Sequence, residues 1–127
     1  MQETTHFLTV RELAEKLSSG DMTSVQLTQM YLDRAEQLDP PPFDLPSEPR
    51  SDHEGQLSTM VTIAREHALE SAERADAELR SGQRRSILHG IPYGVKDLLD
   101  TDGIRTTWGS GIFRDRVPDR NAAVIDQ

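Results

Sequence analysis

Leu88-His89-Gly90-Ile91-Pro92-Tyr93-Gly94-Val95-Lys96-Asp97, followed four residues later by Asp102-Gly103-Ile104-Arg105-Thr106-Thr107-Trp108-Gly109-Ser110, is the stretch on which the reading of this chain turns. Glycine, threonine, aspartate and β-branched residues dominate it, and Ile91 to Val95 reads as one strand with breakers on both sides. Loops carried on rigid elements in this way are where catalytic groups concentrate. Lys96, taken alone, is a solvated surface residue. It can serve as a base near neutral pH only if its pKa falls well below ~10.4, which desolvation in an apolar pocket achieves. Gly94 removes bulk beside it, and Ile91, Val95, Leu98 and Leu99 offer dry surroundings. On a strand, adjacent side chains face opposite ways, so Asp97 is expected to fix the following loop rather than to pair with Lys96.

Upstream of this stretch, residues 64–81 carry Ala68, Leu69, Ala72, Ala75, Ala77 and Leu79 at helical spacing, with Glu66, Glu70, Glu73 and Arg74 facing water. Such small apolar contacts suit close packing on a sheet. Before that helix, Leu57-Ser58-Thr59-Met60-Val61-Thr62-Ile63 alternates polar and apolar residues as a half-buried strand does. Residues 40–56 hold five prolines among serine, glutamate, aspartate and glycine, a composition that suits a surface linker. Two helices open the chain, over residues 9–18 and 23–38. Each starts at a capping box, Thr9 with Glu12 and Thr23 with Gln26, and Gly20 supplies the left-handed stop of the first. The organisation expected is a helical pair over residues 1–39, a linker over 40–56, and an α/β catalytic domain beginning at 57 and running to 127.

Composition narrows the function. With 22 acidic against 14 basic residues and a net charge of −8, the surface repels phosphate backbones and anionic lipids. Neither nucleic acid nor membrane is expected as a charge-driven partner. No cysteine is present, which excludes thiolate metal sites and cysteine nucleophiles. His6, His53, His67 and His89 show no metal-ligand spacing, so neither metal nor cofactor is expected. The first residues lack a signal peptide's basic and apolar regions, and a soluble, cytoplasmic protein is the default. Hydrophobic residues make up 35% of the chain, a lean supply for a core.

In its L-H-G-I-P-x-x-V-K-D run, acidic turn with glycine and T-T-x-G-S, the quoted stretch closely resembles the amidase-signature family. The order of helices, strand and alanine-rich helix before it extends a weaker similarity over most of the chain. The resemblance implies an α/β fold, a mixed β-sheet flanked by helices, here incomplete. It also implies hydrolysis of carboxylic amide C–N bonds by a serine, cis-serine, lysine triad in which Lys96 matches the lysine. That lysine takes a proton from the bridging serine, the bridging serine takes one from the nucleophile, and an acyl-enzyme forms. The substrate implied is a small-molecule amide. Thr107, Gly109 and Ser110 are expected to shape the wall of the site, and Trp108 to be a packing anchor or a substrate contact. His89 is expected to be structural.

The chain departs from the family pattern in three respects. No G-G-S-S-G-G-like stretch, which holds the nucleophile and the oxyanion donors, occurs among its residues. The chain by itself is therefore expected to be a truncated, inactive and marginally stable piece. In addition, the proline-rich segment is long, and Ser58-Thr59 stands where the family often has asparagine-alanine. A general amidase is the preferred subfamily. The A subunit of a glutamyl/aspartyl-tRNA amidotransferase, which would bring tRNA in as a partner, is the alternative, and a non-catalytic acidic helical interaction fragment is a third reading.

Overall fold

The structure is a computed structural model that describes residues 5–38 and 59–126. Among the described residues the regular elements are three α-helices, α1 (Val10–Ser19), α2 (Ser24–Leu38) and α3 (Arg65–Arg80), and one 3-10 turn at Gly111–Phe113. All three helices fall where the sequence places them. The expected α/β fold with a mixed sheet is corrected, because the described residues contain no strand. Residues 91–96 and 59–63 are irregular, and residues 57–58 and the linker at 40–56 lie outside the described set. The reason is physical: alternation records which way side chains face, but a strand exists only through ladder hydrogen bonds to a neighbour. No described segment supplies that ladder. The Thr62 hydroxyl instead donates a single bond to the Arg105 carbonyl at 3.1 Å.

Helix starts follow the local chemistry of the sequence. At α1 the Thr9 N–H donates to the Glu12 carboxylate at 2.7 Å, and the Glu12 N–H donates to the Thr9 hydroxyl at 3.3 Å. These bonds from Thr9, the backbone one foremost, hold the Glu12 carboxyl below its usual range. At α2 the same reciprocity joins Thr23 and Gln26, at 2.9 and 3.1 Å. Gly20, at φ 79°, ends α1 in the left-handed region that glycine enters without steric cost. The end of α3 closes with Gln83 N–H donating to Glu78 O at 2.9 Å and Gly82 N–H to Leu79 O at 3.0 Å, the paired bonds of a Schellman stop.

The chain divides into two units, Met1–Arg34 with Arg65–Tyr93 and Ala35–Ala64 with Gly94–Gln127. In the first, Leu13, Leu17 and Leu27 form a buried cluster with Leu8, Met22, Met30, Tyr31, Leu79 and Ile91 packed around it. A buried acid organises this unit. Asp76 of α3 accepts the Ser24 N–H at 2.6 Å and the Val25 N–H at 3.1 Å, satisfying two of the orphaned donors at the start of α2 and setting negative charge at its positive end. The Ser24 hydroxyl donates in turn to the Gly90 carbonyl at 2.7 Å. Gly90 has φ +86°, and a Cβ there would meet Leu79 Cδ1 and Ser24 Cβ at 3.3 Å and Leu17 Cδ1 at 3.4 Å. Only glycine suits both the dihedral and the space.

In the second unit the buried polar side chains are those of Thr106 and Thr107, and large apolar groups such as Leu98, Ile112 and Val117 are exposed. Polar bonds between loops take the place of a core. Gly103 N–H donates to Pro118 O, Thr106 N–H to Arg116 O and Ala122 N–H to Asp100 O, at 2.8 to 3.0 Å.

Asp76→Ala leaves two buried N–H groups without an acceptor and is expected to destabilise the helical unit by about 1–3 kcal/mol. Gly90→Ala is expected to cost a similar ~1–3 kcal/mol through strain and crowding. Urea unfolding followed by far-ultraviolet circular dichroism reads both, with the exposed Glu70→Ala as a control of small effect.

Candidate active site

The two halves of the Leu88–Ser110 stretch are anchored in different ways. In the first half, His89 is buried, and its Nδ1 accepts the Arg85 N–H at 3.1 Å. The other ring nitrogen, Nε2, lies 2.9 Å from Glu78 Oε2, off the line of a straight hydrogen bond. Arg85 meets the same carboxylate oxygen at 2.8 Å. Glu78 is the acid that sequence reading did not find beside His89. It belongs to the last turns of α3, and no local spacing connects it to the histidine. One ring nitrogen is hydrogen-bonded and the other is enclosed beside Glu78 within the unit, an arrangement that suits a structural role. Gly90 then abuts Ser24, and Ile91 packs on the core.

Beyond Pro92 the anchoring stops. Tyr93, Gly94, Val95 and Lys96 are all exposed, on irregular backbone. The crowded, dry setting expected around Lys96 is not built by the described residues. A Cβ on Gly94 would meet nothing within 4 Å, and Leu98 is 60% exposed. With no strand among the described residues to pair this backbone, none of them folds these apolar side chains over the amine. Lys96 makes no ion pair with a described residue. It is also one of only two lysines, with Lys16, among the 14 cationic residues. Chemically this matters, because arginine does not give up its proton and lysine can.

Asp97 anchors the second half. Its Oδ1 accepts the Thr107 N–H at 2.9 Å, while its Oδ2 accepts the Thr107 hydroxyl at 2.5 Å and the Gly109 N–H at 3.2 Å. Its backbone carbonyl accepts the Trp108 N–H at 3.1 Å. Three consecutive N–H groups thus converge on one aspartate, and the turn that presents them needs left-handed dihedrals at Trp108, φ 55°, and Gly109, φ 70°. The expectation that Asp97 fixes the following loop is met. Thr107 is fully buried, and its polar atoms are occupied by this clamp. Ser110 is half-buried, its N–H donating to Thr107 O at 3.1 Å.

Trp108 is held on three sides. Phe113 meets it edge-on at 5.0 Å between ring centroids, the Arg116 guanidinium lies 4.0 Å above its ring, and its Nε1–H donates to Asp100 at 3.2 Å. Arg116 also grips Asp100 through two nitrogens, at 2.8 and 2.5 Å. The hydrogen bonds from Arg116 first, aided by its charge and by Trp108, lower the Asp100 carboxyl below the ordinary carboxylate range. A shallow open depression beside this cluster is lined by Leu98, Asp100, Trp108, Arg120, Asn121 and Ala122. Lys96, Thr106, Thr107 and Gly109 are not among its walls. No group of three or more potential metal ligands occurs among the described residues. No described helix is long and apolar enough to cross a membrane.

Comparison with known proteins converges on one family. The family model described as Amidase matches residues 50–127, a span that contains Lys96, Asp97 and the threonine-glycine turn. A protein named as the A subunit of glutamyl-tRNA(Gln) amidotransferase, from a Marinomonas species, is 38% identical over 118 residues, covering 93% of this chain and 21% of its own length. Its namesake from Acinetobacter baumannii is 36% identical over 122 residues, covering 96% of this chain and 22% of its own length. A third, from Caldanaerobacter subterraneus, is 33% identical over 120 residues, covering 94% of this chain and 21% of its own length. The chain therefore spans about a fifth of the length of these curated relatives.

Acid titration checks the Asp100 cluster, because Trp108 is the sole tryptophan. A carboxyl lowered in the folded state contributes stability above its unfolded value and loses that contribution as pH falls through the folded one. Trp108 emission is therefore expected to stay constant as the pH drops through the ordinary carboxylate range and to change only below it. Asp100→Asn should abolish that acid step and lower stability at neutral pH.

Proposed function

This chain belongs to the amidase family, and we propose that it carries, in Lys96, the general base of an amide-cleaving centre of the amidotransferase type. One observation carries the reading: Lys96 stands in the family's motif, between two anchored halves, as a lysine that no described carboxylate pairs. An amine left without a counter-ion can lose its proton when water is removed from around it, and so become a base. In this reading it takes a proton from a bridging serine that relays one from a nucleophilic serine, and the acyl-enzyme follows. The two serines come from polypeptide following the motif. Thr107, Gly109 and Ser110 form the adjoining wall.

Of the subfamilies, the A component of the amidotransferase has the relatives' names behind it, in preference to the general amidase that the sequence alone favoured. The substrate class is then an amide donor whose nitrogen passes to glutamyl-tRNA(Gln), and partner chains and tRNA enter as partners.

The test uses Lys96→Ala and Lys96→Arg in an enzyme that joins this segment to the family's serine-bearing stretch. Removing a general base is expected to lower kcat by about 10²–10⁴-fold with little change in KM, and arginine should not rescue it. Turnover that depends on glutamyl-tRNA(Gln) supports the amidotransferase reading, and equal turnover of simple aryl and aliphatic amides without it supports the general amidase. The 127-residue chain by itself is expected to hydrolyse neither better than its Lys96→Ala variant.

A further inference from the structure

We propose that Thr107 and Gly109 act on Lys96 through Asp97, which makes Asp97 the positioning residue of the base; the inference rests on the reading of Lys96 given above. Lys96 lies on backbone with no ladder hydrogen bonds, so no regular element sets the direction of its side chain. The restraint comes from the residue after it. The peptide between Lys96 and Asp97 is held through the Lys96 carbonyl, which accepts the Leu99 N–H at 2.9 Å. The next peptide is held through the Asp97 carbonyl, which accepts the Trp108 N–H at 3.1 Å. Between these two points the Asp97 side chain is pinned by the Thr107 N–H, the Thr107 hydroxyl and the Gly109 N–H. Both peptide planes beside Asp97 and its Cα–Cβ direction are thus fixed to one turn, and Lys96 inherits that orientation.

The clamp has an electrostatic effect as well. A free carboxylate on the adjacent residue is the natural counter-ion of an ammonium and would favour its charged form. Here the Asp97 oxygens are spent on three donors, and no ion pair joins Asp97 to Lys96. Asp100, the next acid along the chain, is committed in the same way to Arg116 and Trp108. The threonine-glycine turn therefore keeps the carboxylate oxygens out of an ion pair with the amine while it aims it. The Thr107 hydroxyl gives the shortest of these bonds, and valine would keep its shape while removing that one of the two donors to Oδ2.

The test is competitive acylation of the chain by limiting acetic anhydride across a pH series. Lys96 and Lys16, the only two lysines, are read separately by peptide mass spectrometry, with Lys16 on α1 as internal reference and circular dichroism as the fold control. Thr107→Val is expected to loosen the carboxylate, which keeps only its two backbone donors, and to move the Lys96 profile to higher pH by about half a unit relative to Lys16, with Thr107→Ser restoring the original profile. Asp97→Asn is expected to lower the profile by much less than the rise of about half a unit that Thr107→Val gives, because the carboxylate it replaces makes no ion pair with the amine. A Thr107→Val profile that coincides with the unmodified chain's, or an Asp97→Asn profile that falls by about half a unit or more, overturns the proposal. If Thr107→Val melts, Asp97→Asn decides alone. None of these profiles depends on turnover, so the role of Lys96 as base stands or falls separately on the kinetics of Lys96→Ala.

Discussion

A buried carboxylate at the head of a helix is the interaction from which the first unit follows. Asp76 takes the first two N–H groups of α2, so the start of that helix, which would otherwise leave donors stranded in the interior, becomes the point where α2 and α3 are joined. With α2 so fixed, the Ser24 hydroxyl points at the Gly90 carbonyl, and the turn at Gly90 closes against Leu17 and Leu79. The L-H-G-I-P half of the motif owes its identity to this: histidine to meet Glu78, glycine to fit a left-handed turn between two leucines, isoleucine to reach the core. Packing accounts for these residues without recourse to chemistry.

The second unit applies the same device without a core. Asp97 there plays toward the turn at residues 107–109 the part that Asp76 plays toward α2, a carboxylate gathering backbone donors that no helix or strand satisfies. The difference lies in what surrounds each acid. Around Asp76 leucines and alanines are buried, whereas around Asp97 the buried side chains are threonines and the large apolar ones face out. The proposed base is thus mounted on a rigid turn within an open surface.

The helices were legible because their signals are local. Capping boxes at Thr9 and Thr23, the stripe Leu13, Ala14, Leu17, and the stop at Gly20 lie within a turn or two of the elements they specify. The role of Asp97 toward the loop was legible because the turn lies close by in sequence. The strands were not, since the alternation at residues 57–63 and 91–96 is real but pairing is a property of two segments, and no described segment pairs with either. The dry pocket around Lys96 failed with them, because Val95 and Leu98 need a folded sheet to turn inward. Asp76 and Glu78 escaped notice for a related reason: each is one acid among many on an amphipathic helix, and its partner lies far along the chain or in another element.

The bonds from Ser24 to Asp76 and Gly90 close loops of 52 and 66 residues. The entropy of such a closure rises only with the logarithm of loop length. Lengthening the segment between α2 and α3, residues 39–64, by ten would therefore cost on the order of 0.3 kcal/mol, far less than the loss of one capping bond. The joint at Ser24 thus leaves the proline-rich stretch free to change in length while the helices on either side stay in register, which makes that stretch a place where insertion carries little thermodynamic penalty.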